Sequence, residues 1–219
     1  NTFRSNPDSA AHAFCHALPD RWHLMSVMLS AASCLDWAVK LTGTSDAGEL
    51  VKLAQTEAGL AGSEQFLPYL SGERTPHNNP HASGVLFGLT HDSGSAQIGQ
   101  AVLEGVAFGM ADGFRALVES GVDVHSISVI GGGAQSTYWG RILSAVLDRP
   151  MVYRDCAATG PAYGAARLAR YASMGGSVEE MFEAPEVLQI VEPKESDRDR
   201  LAPKYEKFGT LYRILKDAF

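Results

Sequence analysis

Ser126 to Leu143, SISVIGGGAQSTYWGRIL, is the stretch on which the fold turns. Ile127, Val129 and Ile130 form a short β-branched run that stops at Gly131, Gly132 and Gly133. Trp139, Ile142, Leu143 and Val146 then recur at helical spacing. The predicted order is strand, glycine turn, helix N-terminus. Glycine in such a turn permits positive φ and leaves no Cβ between the main chain and a ligand. The following helix directs unpaired N–H groups and the positive end of its dipole into the same space, which suits phosphate or another anion. A bare strand-to-helix connection accounts for one or two glycines. Three in a row, followed by Ala134 and Ser136, exceed that need and predict a bound ligand.

A chain of 219 residues, 45% hydrophobic and 20% charged, can bury a substantial core. Its formal net charge of −7 and the lack of any basic run argue against nucleic acid as a partner. An anionic ligand must then be met by backbone amides and a metal ion. Cys15, Cys34 and Cys156 are scattered and odd in number, so neither a disulfide framework nor a CxxC metal site is suggested. Reduced thiols point to the cytoplasm. No stretch approaches a membrane span, and the polar opening NTFRSNPDSA is not a signal peptide. That opening reads as the interior of a longer protein.

Ala11 to Val27 predicts two short strands around Pro19-Asp20. His12, His16 and His23 lie in it without a carboxylate at ligand spacing, so solvent-facing or satisfied histidines are expected there and not a zinc site. Met28 to Leu41 predicts a buried helix stopped by Gly43, and Ala47 to Ala58 a second, capped by Ser45 or Asp46. Ser71 to Ser83, SGERTPHNNPHAS, is broken by Pro76 and Pro80 and reads as a loop. Two accounts of Glu73 and Arg74 stay open: a local surface ion pair, or a loop that packs on a neighbouring domain or lines a cleft.

Val85 to Leu89 predicts a strand and Ser95 to Val118 the longest helix. Ala101, Gly105, Gly109 and Gly113 form a small-residue ridge on that helix, suited to close packing in a core. Glu104, Asp112 and Arg115 exclude a membrane span. After the glycine turn and its helix, Met151 to Tyr153 predicts a strand. Thr159-Gly160-Pro161 opens a helix with Thr159 as its cap and slim first turns, able to wall a pocket beside the glycines. The segment from Ser196 carries Leu201, Tyr205, Phe208, Tyr212, Leu215 and Phe219 at steps of three and four, a helix docked on the body. Together these elements predict an α/β layer architecture in one domain, residues 1–219.

Three uses of a glycine turn compete. Gly131 and Gly133 match the first two glycines of a dinucleotide-binding fingerprint, and Asp155 stands where a ribose-binding acid would. Ser136 holds the third glycine position, however, and too little chain follows for the rest of an NAD-binding fold. The Walker A pattern fails because no Lys-Ser/Thr follows the glycines. A non-catalytic ligand-binding module also remains, since no Ser-His-Asp set or carboxylate pair is defined by spacing.

GGGAQSTYW, followed some twenty residues later by TGPAYGAARLA, resembles the C-terminal, nucleotide-binding domain of the FGGY family of carbohydrate kinases. Gly84 to Glu104 is similar to a second motif of that family, through Gly84, Leu86, Gly88, Leu89, Gln97, Ile98, Ala101 and Glu104. FCHALPDRWHLM and FLPYLSGERTP are most similar to members that phosphorylate D-xylulose. The resemblance covers nearly the whole chain, with linked motifs in the right order.

It implies an actin-like ATPase, ribonuclease-H-like domain with a mixed sheet flanked by helices, forming the ATP side of a two-domain cleft. Carried over by position, Gly131, Gly132 and Gly133 would pass the phosphates and ribose. Ala134, Ser136 and Thr137 would border the adenosine, and the helix from Gly160 to Ala166 would close the pocket. Mg²⁺ would bridge the phosphates. The implied partners are ATP, D-xylulose and the protein's own N-terminal domain; a homodimer is left open. Ser83 departs from the arginine that relatives carry before the glycine, at a loop implied to face the domain interface. The family's general-base aspartate and Thr-Gly phosphate segment lie upstream of the matching region, so this chain alone is expected not to turn over.

Overall fold

From Gly99 to Gly109 every residue is buried, and this run lies within the longest helix, α3 (Ser95–Glu119). A helix apolar on all sides must be enclosed on all sides, and α3 is the post around which the chain is wound. The computed structural model describes residues 3, 4, 6, 8 and 10–219. Helices α1 (Ser33–Thr42) and α2 (Ala47–Leu53), strand β3 (Gln65–Leu67), α4 (Thr137–Leu147) and α7 (Glu195–Leu215) all pack on α3. The small-residue ridge does what its spacing predicted. A Cβ on Gly105 would collide with the Phe66 carbonyl oxygen, and one on Gly109 would stand 2.7 Å from Met28 Cε.

The described residues form three small sheets. β1 (His12–Cys15) and β2 (Trp22–Met25) form the predicted antiparallel hairpin, and β3 pairs antiparallel with β4 (Val85–Phe87). The third sheet has the order β5-β6-β7: β5 (Ile127–Val129) runs parallel to β6 (Met151–Arg154), and β7 (Val187–Val191) runs antiparallel to β6. The architecture is therefore α/β with a mixed sheet flanked by helices, as expected. An antiparallel third strand is incompatible with the parallel continuation an NAD-binding domain requires.

Several boundaries differ from expectation. Residues 28–32 are not helical, and α1 begins only at Ser33; Leu29, at the start of the predicted Met28–Leu41 stripe, is 42% exposed, while Leu35 and Val39 of that stripe do pack in the core. Leu29 instead donates its N–H to Glu73 Oε1 at 3.2 Å, a tertiary bond in place of a helical one. The second helix changes pitch, with a π turn over Ala54–Ala58. Asp46, not Ser45, is its cap, accepting the Glu49 N–H at 2.9 Å, while Glu49 accepts the N–H and hydroxyl of Ser45. Helix α5 (Pro161–Met174) is capped by Gly160, with Thr159 in a 3₁₀ turn before it. Strand β7 and the short helix α6 (Val178–Met181) carry no periodicity strong enough to predict.

Candidate functional site

The glycine turn lies between β5 and α4. Gly131 has φ +77°, a left-handed value that penalises any side chain, and its N–H donates to Ala157 O at 2.9 Å. The helix does not begin directly after the glycines, as predicted. Gly132–Gln135 form a 3₁₀ turn first, and Ser136 then caps α4 by accepting the Trp139 N–H at 3.1 Å. Gly160, at φ +61°, stands beside Gly131: a Cβ placed on it would lie 3.8 Å from Gly131 Cα. Side chains added to Gly131 or Gly132 would meet nothing within 4 Å, so this stretch of main chain faces open space.

That space includes a cavity of about 530 Å³, within the usual range for a small-molecule site. One part of its wall is Gly132, Gly133, Gln135, Ser136 and Thr137, with the Tyr138 and Trp139 side chains behind them. The remainder comes from Ala32, Leu35 and Asp36 of the α1 region, and from Ala47, Gly48, Val51, Lys52 and Gln55 of the α2 region. Four predicted residues, Gly132, Gly133, Ser136 and Thr137, are thus brought together on the cavity. Gly131, Ala134 and Gly160 border the turn without lining it, and Ala134 packs toward the core.

Helix α5 contributes no lining residue and has no buried residue, so it does not close this pocket as the resemblance implied. The α1–α2 wall takes that place. It was not predicted because its residues lie some hundred positions away in sequence. The only available signal was a pair of small residues, Ala47 and Gly48, where α2 begins.

The N-terminal turn of α4 is anchored from three sides. Tyr153 donates its hydroxyl to Ser136 O at 2.9 Å, filling the space that Gly140 leaves open. Trp139 Nε1 donates to Leu103 O at 3.1 Å, and the Tyr138 hydroxyl donates to Gln100 Oε1 at 2.8 Å. Burial pushes the Tyr138 hydroxyl up to about 12, so it remains a proton donor at any physiological pH. These bonds hold in place the free amides that an anion would meet.

For ATP the donor set fits: backbone amides without side chains, a helix N-terminus, and apolar walls with Asp36, Lys52 and Gln55 as polar points. For Mg²⁺ it does not. Among the described residues no group of three His, Cys, Asp or Glu side chains is placed to hold a metal ion, and Asp36 is the single acid on the cavity.

The Ser71–Ser83 loop also differs from one of its two accounts. Glu73 is 2% exposed and accepts the N–H groups of Leu29 and Arg74, while the Arg74 guanidinium lies 3.0 Å from His12 Nε2. No Glu73–Arg74 surface ion pair forms. Burial holds the Glu73 carboxyl above its ordinary value. In the hairpin, Phe14 stacks on His23, with His16 edge-on to the same imidazole.

Fold and site together define an α/β domain in which a glycine turn and a capped helix face a cleft of ligand size. The chain belongs to the FGGY family of carbohydrate kinases: the model of that family's C-terminal domain matches residues 2–173. It is 49% identical over 216 residues to a xylulose kinase of Escherichia coli (strain K12), covering 97% of this chain and 44% of that protein. A xylulose kinase of Klebsiella pneumoniae is 47% identical over 220 residues, with 98% and 44% covered. A crystal structure described as a xyloylose kinase from Brucella ovis superposes with a TM-score of 0.90 at 38% identity, covering 99% of this chain and 45% of that one. The fold is thus that of the FGGY sugar kinases, the actin-like ATPase type. The chain spans less than half the length of these relatives.

Proposed function

We propose that this chain is the ATP-binding half of an ATP-dependent carbohydrate kinase whose acceptor is D-xylulose. The observation that carries the reading is the bare main chain of Gly132 and Gly133, leading into the Ser136-capped helix at the cavity wall. Phosphoryl transfer is mostly positioning plus charge stabilisation, and amides held by Tyr153, Trp139 and Tyr138 are positioned in advance. Gly131 and Gly160, side by side, let the chain turn tightly toward the phosphates; Ala134 and Thr137 flank the adenosine. Mg²⁺ would be held by the ATP phosphates and not by ligands on this cavity. Support for D-xylulose comes from the Escherichia coli and Klebsiella pneumoniae relatives, both xylulose kinases. The sugar, the general base and the rest of the cleft belong to an N-terminal domain. The scattered free thiols fit a cytoplasmic protein, and no helix among the described residues is long and apolar enough to cross a membrane.

Isothermal titration of the chain with ATP and with NAD, each with and without Mg²⁺, tests the reading. Saturable ATP binding without NAD binding is expected. Gly132→Val, which fills the open side of the turn, should weaken ATP binding at least about ten-fold, a loss of roughly 1.4 kcal/mol. Wild-type affinity in that variant, or preference for NAD, would overturn the reading. In a coupled ADP-release assay with D-xylulose the chain alone should be inactive, and saturable turnover from it would show that its own residues supply the base.

A further inference from the structure

A buried charge pair lies behind the cavity wall, with one partner on a helix outside the 2–173 span of the family model. Lys204 of α7 is 7% exposed and Glu104 of α3 is fully buried; Lys204 Nζ donates to Glu104 Oε2 at 2.5 Å. Glu104 Oε1 accepts from Ala61 N at 2.7 Å and from Gln100 Nε2 at 2.6 Å. Gln100, 1% exposed, uses its Oε1 to accept the hydroxyl of Tyr138, whose residue lines the cavity.

Burying two charges costs desolvation that an apolar pair of the same shape avoids, so stability alone does not call for this arrangement. What it supplies is direction. A carboxylate only accepts, so the Gln100 amide must turn its NH₂ toward Glu104 and its oxygen toward Tyr138. Without the carboxylate, either orientation of that amide is allowed and the Tyr138 hydroxyl loses its fixed acceptor. Tyr138 is the second residue of α4, and its N–H is among the free amides at the helix start.

Resting on the cavity being the nucleotide site, we infer that Lys204 is a positioning residue: through Glu104 and Gln100 it sets the Tyr138 wall and the amides that meet the nucleotide. α7 thereby becomes part of the nucleotide site's construction without touching the nucleotide.

The test uses Lys204→Met, Tyr138→Phe and the double variant, with Leu211→Ala as a control in the buried face of the same helix. Two quantities are read: ATP affinity by titration calorimetry, and the position of the Trp139 indole N–H resonance without nucleotide. Lys204→Met and Tyr138→Phe should each weaken ATP binding about five- to ten-fold, the effect of one net hydrogen bond. The double variant should be no weaker than the weaker single, because both act along one path. Both single variants should shift the Trp139 indole resonance. Leu211→Ala should lower the melting temperature while leaving affinity and resonance as in wild type. Tyr138→Phe removes one hydroxyl and carries the test if Lys204→Met does not fold. Wild-type affinity in a folded single variant, additive effects in the double variant, or an equal loss in the control would each overturn the inference. If the wild type shows no saturable ATP binding, the nucleotide reading falls, and an unmoved indole resonance would then show that Lys204 does not set the wall either.

Discussion

Gly105 and Gly164 are both helical glycines, and the structure predicts opposite consequences for the same substitution. At Gly105 of α3 an added methyl would run into the Phe66 carbonyl oxygen, a backbone atom that cannot swing away. Gly105→Ala should therefore lose about 2 kcal/mol, since overpacking outweighs the better helix propensity of alanine. At Gly164 of α5 the same methyl meets nothing within 4 Å, so Gly164→Ala should gain about 0.5–1 kcal/mol. Urea unfolding of both variants measures this, and a Gly105→Ala variant as stable as wild type would refute the close contact. The Gly105 ridge was legible because helical periodicity put Gly105, Gly109 and Gly113 on one stripe. The partner of that stripe, Phe66, was not legible, because no local rule connects residues forty positions apart.

At the scale of elements, local chemistry set the helix ends wherever a side chain could reach its own backbone. Asp46 caps α2 by accepting the Glu49 N–H at 2.9 Å. Asp46→Ala should cost about 1 kcal/mol in thermal or urea unfolding, and because α2 lines the cavity, ATP binding should weaken in parallel. A stability equal to wild type would return the cap to Ser45. Where tertiary contacts compete, the local rules fail. Residues 28–32 have a helical pattern but form bends and a turn, with the Leu29 N–H bonded to Glu73 and not to a helical carbonyl. β7 is an edge strand, exposed at Val187, Leu188 and Ile190, so no inside–outside alternation marks it. The strand–glycine–helix order at the site was read correctly. Its inserted 3₁₀ turn depends on where Ala157 and Gly160 come to lie, which that stretch does not encode.

At the scale of the whole molecule, the cluster beneath the Ser71–Ser83 loop couples stability to pH. The His77 ring stacks on Tyr212 with centroids 3.7 Å apart, shares a 3.0 Å bond with the Tyr69 hydroxyl, and lies 4.0 Å from Asp112. Burial outweighs the distant carboxylate and lowers the imidazole pKa from 6.5 to about 4. The unfolded chain therefore takes up this proton first. The contribution of His77 to stability is complete above about pH 6.5 and is lost as pH falls toward 4, by about 2 kcal/mol at pH 5. The carboxyls of Glu73 and Asp112, both raised by burial, act in the opposite sense, so the comparison must be between variants. His77→Phe keeps a ring in the stack and should lose about 2 kcal/mol less than wild type between pH 7 and pH 5, measured by urea unfolding. Equal losses would place the His77 proton elsewhere.

The order of most strands and helices (α6 and β7 excepted), the bare turn at Gly131 to Gly133 and the packing ridge of α3 follow from the sequence, because each rests on neighbours within a few residues. Four of the seven expected site residues reach the cavity for the same reason. The second wall, built from α1 and α2, and the Lys204–Glu104–Gln100–Tyr138 path were decided only when the chain closed around α3. Burial and hydrogen-bond geometry bring those residues together across as many as a hundred positions, and no periodicity or motif spans that distance.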